Sequence, residues 1–221
     1  MIEDFHPDGD ALRYFGVYPA IVTNIVDPKS LGRIEVKFPS LGADGDSVRA
    51  WATLLTPYAD DNQGYQMLPA VDSQVVVAFE AGDLRRPYIV GAAWNGKESL
   101  PESPEPANNR RLIKTRSGSL LEFDDTEGAA KITVSTSSGH KLLLDYGGTQ
   151  VTLTHANGCL ITFNAGGQIQ VQANATVEIT ASAVNVHAAT ATFDGMVTCT
   201  TLNASVGVIS PSYTPGAGNI W

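Results

Sequence analysis

The sequence predicts an all-β chain in two parts: a small closed barrel, then a narrow prism of short stacked strands. Three observations predict it. No stretch shows a helical period with caps at its ends. The first 97 residues hold five longer apolar runs separated by turn-rich breaks. The second half repeats a short apolar pair, residues i and i+2, with small turn residues between copies.

The five runs are Phe15–Val26, Arg33–Phe38, Val48–Leu54, Gln74–Glu80 and Pro87–Ala93. The breaks are DPKSLG, PSLGADGD, the long TPYADDNQGYQMLPAVD and the tight AGDLRR. Five strands in this length suit a small closed barrel such as the OB-fold, because closure removes edges that would otherwise pair with other chains. Residues 98–109, ESLPESPEPANN, are rich in Pro, Glu and Asn and form a linker.

The repeats follow. Their pairs are Leu121/Phe123, Ile132/Val134, Leu142/Leu144, Val151/Leu153, Ile161/Phe163, Ile169/Val171, Val177/Ile179 and Val184/Val186, with Phe193 in step. The spacing shrinks along the chain, 11, 10, 9, 10, 8, 8 and then 7 residues. Such repeats leave each strand one apolar face and two open edges. A single-chain solenoid coil needs roughly 20 residues or more, so the sequence predicts that three chains wind around one axis and pair their strands with those of their neighbours. These sixteen side chains are the expected trimer core. Corner residues are supplied by Ser117-Gly118, Gly128, Ser138-Gly139, Gly147-Gly148, Asn157-Gly158, Gly166-Gly167 and Gly195. Roughly ten strands at about 4.8 Å give a needle near 50 Å long. The last residues, 210–221, cannot extend the repeat. They are expected to cap the blunt end, with Tyr213, Ile220 and Trp221 as apolar cover or as a platform for a separate tip protein. The predicted organisation is thus 1–97 barrel, 98–109 linker, 110–209 needle and 210–221 cap.

Composition limits the functions. The net charge is −9 with a pI near 4.8, which opposes nucleic-acid binding, since phosphate contacts need Lys and Arg. Residues 1–97 carry 8 basic and 13 acidic residues, so an oligonucleotide-binding barrel face is not expected. All 14 Lys and Arg lie at or before Lys141. No run of about 18 apolar residues predicts a membrane-spanning helix, and the acidic N-terminus predicts no secretory signal. Cys159 and Cys199 fall in phase with inward residues, roughly 20 Å apart at strand spacing, beyond disulfide reach. They are expected to be buried free thiols, in keeping with assembly in a reducing cytosol.

No catalytic constellation is visible, and neither an enzyme nor a cofactor is predicted. Asp60-Asp61 and Asp124-Asp125 lie in turn-like sequence, without the facing geometry of a glycosidase. His187 is out of phase and points outward. His140 and His155 are in phase with their strands. Three copies on an axis would make them candidate metal ligands, and the plainer role is a strand-end hydrogen bond to a corner carbonyl.

One further pattern carries a resemblance. The run Gly32-Arg33-Ile34-Glu35-Val36-Lys37-Phe38-Pro39 is followed by Trp51-Ala52, Thr56-Pro57-Tyr58-Ala59, Gly64, Leu68-Pro69, Val75 to Phe79, Gly82-Asp83, Arg86-Pro87, Val90-Gly91 and Asn95-Gly96-Lys97. In this order the motifs resemble the OB domain of the phage baseplate protein V family and of the valine-glycine repeat spikes of type VI secretion. The resemblance implies an OB-fold barrel followed by an intertwined triple-stranded β-helix of three chains, a homotrimer. It implies the central spike of a contractile tail or injection system, assembled in the bacterial cytoplasm into a virion tail baseplate or equivalent particle. Its barrel would dock to hub proteins, its needle would pierce the target cell envelope, and its end would carry a small tip protein. The iron-binding His-x-His of some such spikes is absent, and the linker is too short for the lysozyme domain that others insert. A receptor-binding fibre or adhesin on the same prism, and a polysaccharide-cleaving tailspike, are the alternative readings.

Overall fold

In a computed structural model, the described residues are 13–42 and 48–210. They are all-β apart from one short 3-10 turn, Glu80–Gly82. The chain forms two units that divide after Gln172.

The barrel is built from β1 (Val17–Asn24), β2 (Arg33–Phe38), β3 (Val48–Leu54), β6 (Gln74–Phe79) and β7 (Pro87–Ala92), closed in the order β1-β2-β3-β7-β6. All pairs are antiparallel except β3 with β7. Strand alternation fills it. In β2 and β6 every second residue is buried, which places Ile34, Val36, Phe38, Val75, Val77 and Phe79 inside. Tyr14 packs edge-on and Tyr18 tilted against Phe79, which also meets Phe38 at 5.4 Å between ring centroids. The 19 residues between β3 and β6 hold a hairpin the sequence did not signal, β4 (Ala59–Asp60) with β5 (Gln63–Gly64).

After the linker, seven strands form a meander: β8 (Arg110–Lys114), β9 (Leu120–Asp124), β10 (Lys131–Ser135), β11 (Lys141–Asp145), β12 (Gln150–Thr154), β13 (Leu160–Phe163) and β14 (Ile169–Gln172). Each pairs antiparallel with its sequence neighbours. Over residues 110–172 the ladder's hydrogen bonds are made within one chain, because the short corners close tightly enough to return the strand on itself.

The corners repeat one geometry. The amides of Thr115, Thr136, His155 and Asn164 donate to the carbonyls of Ser119, His140, Cys159 and Gln168, at 2.8–3.1 Å. The fourth residue of each is glycine with positive φ: Gly118, Gly139, Gly158 and Gly167. A left-handed residue at that place closes a three-residue hairpin loop without splaying the strands. At the 146–149 corner the expectation fails, since Thr149 carries the positive φ and not Gly147 or Gly148. Those two glycines serve close approach instead: a Cβ on Gly147 would lie 2.9 Å from the Gly128 carbonyl oxygen, and one on Gly148 2.7 Å from Asp145 Oδ2.

In the second unit, no strand forms among residues 173–210. Val177, Ile179, Val184 and Val186 are 57–70% exposed. The expected strands of this stretch are therefore not made by one chain alone.

Candidate assembly surface

The register of the ladder sorts its side chains into columns. Phe123, Ile132, Leu144, Val151, Phe163 and Ile169 are successive cross-strand partners. So are Leu121, Val134, Leu142, Leu153, Ile161 and Val171. Because alternate residues share a face, both columns stand on one side of the sheet. Twelve of the sixteen expected core residues thus form one continuous apolar face. It stays open among the described residues of the first unit: apart from the half-buried Leu121 and Ile161, its members are 36–63% exposed. A groove of about 630 Å³ runs along the first column, flanked along the ladder edge by Asp124, Lys131, Asp145 and Gln150. Val177, Ile179, Val184 and Val186 lie outside the ladder, in the second unit.

The opposite face carries Glu122, Thr133, Leu143, Thr152, Thr162 and Gln170 in its central column. Above the first strand the linker folds back. Glu102 pairs with Arg110, raising the basicity of that guanidinium, and Lys114 Nζ donates to the Pro101 carbonyl at 3.5 Å. Arg111 pairs with Asp125. Asp124 is the last residue of β9, and the hydroxyl and amide of Thr126 hold its carboxyl below the usual range. The two aspartates close a corner and do not face one another across a cleft.

His140 and His155 stand at successive corners of one ladder edge, their rings 4.4 Å apart between centroids. Neither meets a corner carbonyl through its ring. His140 Nδ1 accepts from the Ala156 amide at 3.3 Å, and His155 Nδ1 lies 2.7 Å from Asn157 Oδ1. Among the described residues no group of three or more His, Cys, Asp or Glu side chains could hold a metal ion. The thiols also depart from expectation. Both are free, Cys159 half-buried and Cys199 exposed. Tyr213, Ile220 and Trp221 lie outside the described residues.

The barrel presents a second surface at the β4–β5 hairpin. Tyr58, Tyr65, Met67 and Leu68 are 45–51% exposed around it. The hairpin is held by Thr56 Oγ1 donating to the Tyr65 carbonyl at 2.7 Å and by the Tyr58 hydroxyl to Gln63 Oε1 at 2.8 Å. Beneath it lies a cavity of about 720 Å³ lined by Ile25, Leu31, Ile34, Leu54, Tyr58 and Leu68 among others. Beside this cavity the β1–β2 loop is fixed by Asp27, whose carboxylate accepts from the amides of Lys29 and Leu31 and pairs with Arg33 at 2.8 Å. The Arg33 side chain holds Asp27 far below the ordinary carboxylate range. Arg33 in turn lies over the Trp51 ring at 5.8 Å. This loop was legible only as a break, and its Asp–Arg pair carried no spacing signal.

The described chain is thus a closed five-stranded barrel with an exposed aromatic hairpin, followed by a ladder with an exposed apolar face. Residues 18–94 match the type VI secretion system/phage-baseplate injector OB domain, in keeping with the resemblance carried by the order of the short motifs. It is 22% identical over 129 residues to the type VI secretion system spike protein VgrG3 of Vibrio cholerae, covering 55% of this chain and 13% of that protein. It is 23% identical over 124 residues to the spike protein VgrG1a of Pseudomonas aeruginosa (52% and 19%). It is 25% identical over 134 residues to VgrG5 of the same organism (55% and 17%). The chain therefore spans less than a fifth of the length of these curated relatives.

Proposed function

We propose that this chain is the central spike of a contractile injection machine, a phage tail or a related secretion or bacteriocin particle. Three copies assemble through their ladders. The barrels dock to the baseplate hub, with the β4–β5 hairpin as the contact surface, and the needle is driven into the target envelope. The observation that carries the reading is the succession of two features in one chain: an injector OB domain, then an apolar face with no cover of its own.

Physical reasoning favours three copies. Twelve apolar side chains in two columns are too narrow a stripe for a two-layer sandwich of broad sheets, but three such stripes meet around one axis. Covering them contributes on the order of 1 kcal/mol per side chain, since each is already half covered. Residues 173–210 then gain partners for their backbone groups and their own apolar pairs. The work is mechanical, spread over many backbone hydrogen bonds, and uses neither catalytic group nor cofactor.

The mass in solution tests it, measured by light scattering on the full chain and on a chain ending at residue 97. The full chain is expected at three times its monomer mass and the short one at its monomer mass. A monomeric full chain would overturn the reading.

A further inference from the structure

The two edges of the ladder differ in charge. Because successive strands reverse direction, the corners 115–119, 136–140 and 155–159 line one edge, and the corners 125–130, 146–149 and 164–168 the other. On the first edge the ionisable residues at strand ends and corners are Lys114, Arg116, His140, Lys141 and His155, with no carboxylate among them. On the second edge stand Asp124, Asp125, Glu127 and Asp145. Of the ladder's acidic residues only mid-strand Glu122 lies elsewhere.

Two of the three bases on the acidic edge are already paired. Arg110 pairs with Glu102 and Arg111 with Asp125, while Lys131 sits in register between Asp124 and Asp145. Counting Glu102, five carboxylates there face three bases. Arg116 and Lys141 on the basic edge are in no ion pair among the described residues.

We propose that these edges form an electrostatic latch between neighbouring copies: the basic edge of one ladder, through Lys114, Arg116 and Lys141, seats beside the acidic edge of the next, at Glu127 and Asp145. This rests on the assembly proposed above. The geometry discriminates between arrangements. A second copy laid on the apolar face and pointing the same way brings its basic edge over the first copy's acidic edge. A copy turned end for end brings basic edge over basic edge, so that Lys141 approaches Lys141. Repeating the same-way contact around an axis makes a closed head-to-tail ring, in which one edge always meets the other. Exposed charges of this kind govern encounter rate and rejection of wrong partners more than final affinity. The latch therefore selects copies of one polarity before the apolar columns lock.

The test reverses one edge in the full chain, with Lys114→Glu, Arg116→Glu and Lys141→Glu together. Trimer formation after dilution from denaturant is followed by light scattering at low and at high salt. At low salt the variant should assemble about tenfold more slowly than the wild type or worse, and high salt should close most of the gap. Adding Glu127→Lys and Asp145→Lys to the same chain should restore the rate, because the edges are then complementary again with signs exchanged. The single variant Lys141→Gln, which removes a charge without disturbing the fold, should give a smaller slowing of the same salt dependence. Unchanged rates in both the reversed and the Lys141→Gln chains, or no recovery in the compensated one, would overturn the latch and leave the trimer standing. A wild-type chain that stays monomeric removes the trimer itself.

Discussion

In the barrel, alternate residues of β2 and β6 leave solvent entirely; in the ladder, alternate residues of β9 to β14 remain in it. Both regions are made of short, mostly antiparallel strands with the same period of two. The difference is closure. Five barrel strands return on themselves, so Ile34, Val36, Phe38, Val75 and Val77 face each other across one interior. Seven ladder strands run on as an open meander, so Ile132, Leu144 and Phe163 face nothing. Every buried hydrophobic among the described residues lies in the barrel. A sheet that closes within one chain can fold alone, whereas on the proposed assembly the open sheet completes its burial against other copies, and its stability then depends on chain concentration.

The sharpest way to break this contrast is to place a charge in each region. Leu144→Asp puts one carboxylate per copy in the middle of the apolar columns. It is expected to abolish assembly, leaving a monomer by light scattering with the barrel still folded by near-UV circular dichroism. A trimer that tolerates Leu144→Asp would show that the columns are not the interface. Phe38→Ala acts in the other region. It empties a fully buried site packed on Phe79 and should cost about 3–5 kcal/mol of barrel stability in urea unfolding. The trimer mass is expected to be unchanged.

A smaller effect separates closure of the barrel from its filling. Gly82 sits at φ +79 in the turn after β6, and its carbonyl accepts from the Tyr14 amide at 3.0 Å. A Cβ there would lie 3.0 Å from both Arg13 Cβ and Tyr14 N. Gly82→Ala should therefore cost about 1–2 kcal/mol, seen as a lower urea midpoint with unaltered assembly. An unchanged midpoint would mean that the segment before β1 is not held against the barrel.

How far the sequence disclosed all this follows the same divide. The extents of β2 and β3 were legible to the residue, because turn-rich breaks with Gly or Pro bound each run on both sides. The β4–β5 hairpin was hidden, since two-residue strands carry no periodicity and Asp60-Asp61 resembled a plain turn. In the ladder the apolar phase was legible, for Ile132, Leu144 and Val151 are cross-strand partners as their spacing demands. The pairing partner was not. Phase fixes which face a residue joins, but whether a strand bonds to its own chain or to another depends on corner geometry. The five-residue corner with its left-handed glycine decides that, and Thr149 shows that even the glycines do not mark each corner alike. The stacked rings of His140 and His155 were beyond reach for the same reason, being brought together only when two corners align on one edge.

Acid offers the last and mildest test of the contrast, because the barrel's carboxylates are satisfied within their own chain. Asp27, its side chain only 2% exposed, is held far below its ordinary range first by Arg33 and then by the amides of Lys29, Leu31 and Arg33. Asp83 is lowered to about 2, first by the Arg85 side chain and then by its amide. Both folded values lie under the unfolded aspartate value of about 3.9. Their contribution to stability is therefore complete above about pH 4, and is lost as the pH falls through the folded values. A chain ending at residue 97 should show a urea midpoint that is flat near neutrality and falls below about pH 4. Asp27→Asn should lower that midpoint at pH 7 and flatten its fall in acid, since the group that titrates is gone. Parallel acid profiles for the two chains would mean that the Asp27–Arg33 pair does not anchor the β1–β2 loop. The salt sensitivity expected of the ladder edges needs a neighbouring copy to appear, whereas this acid profile should be the same at every protein concentration.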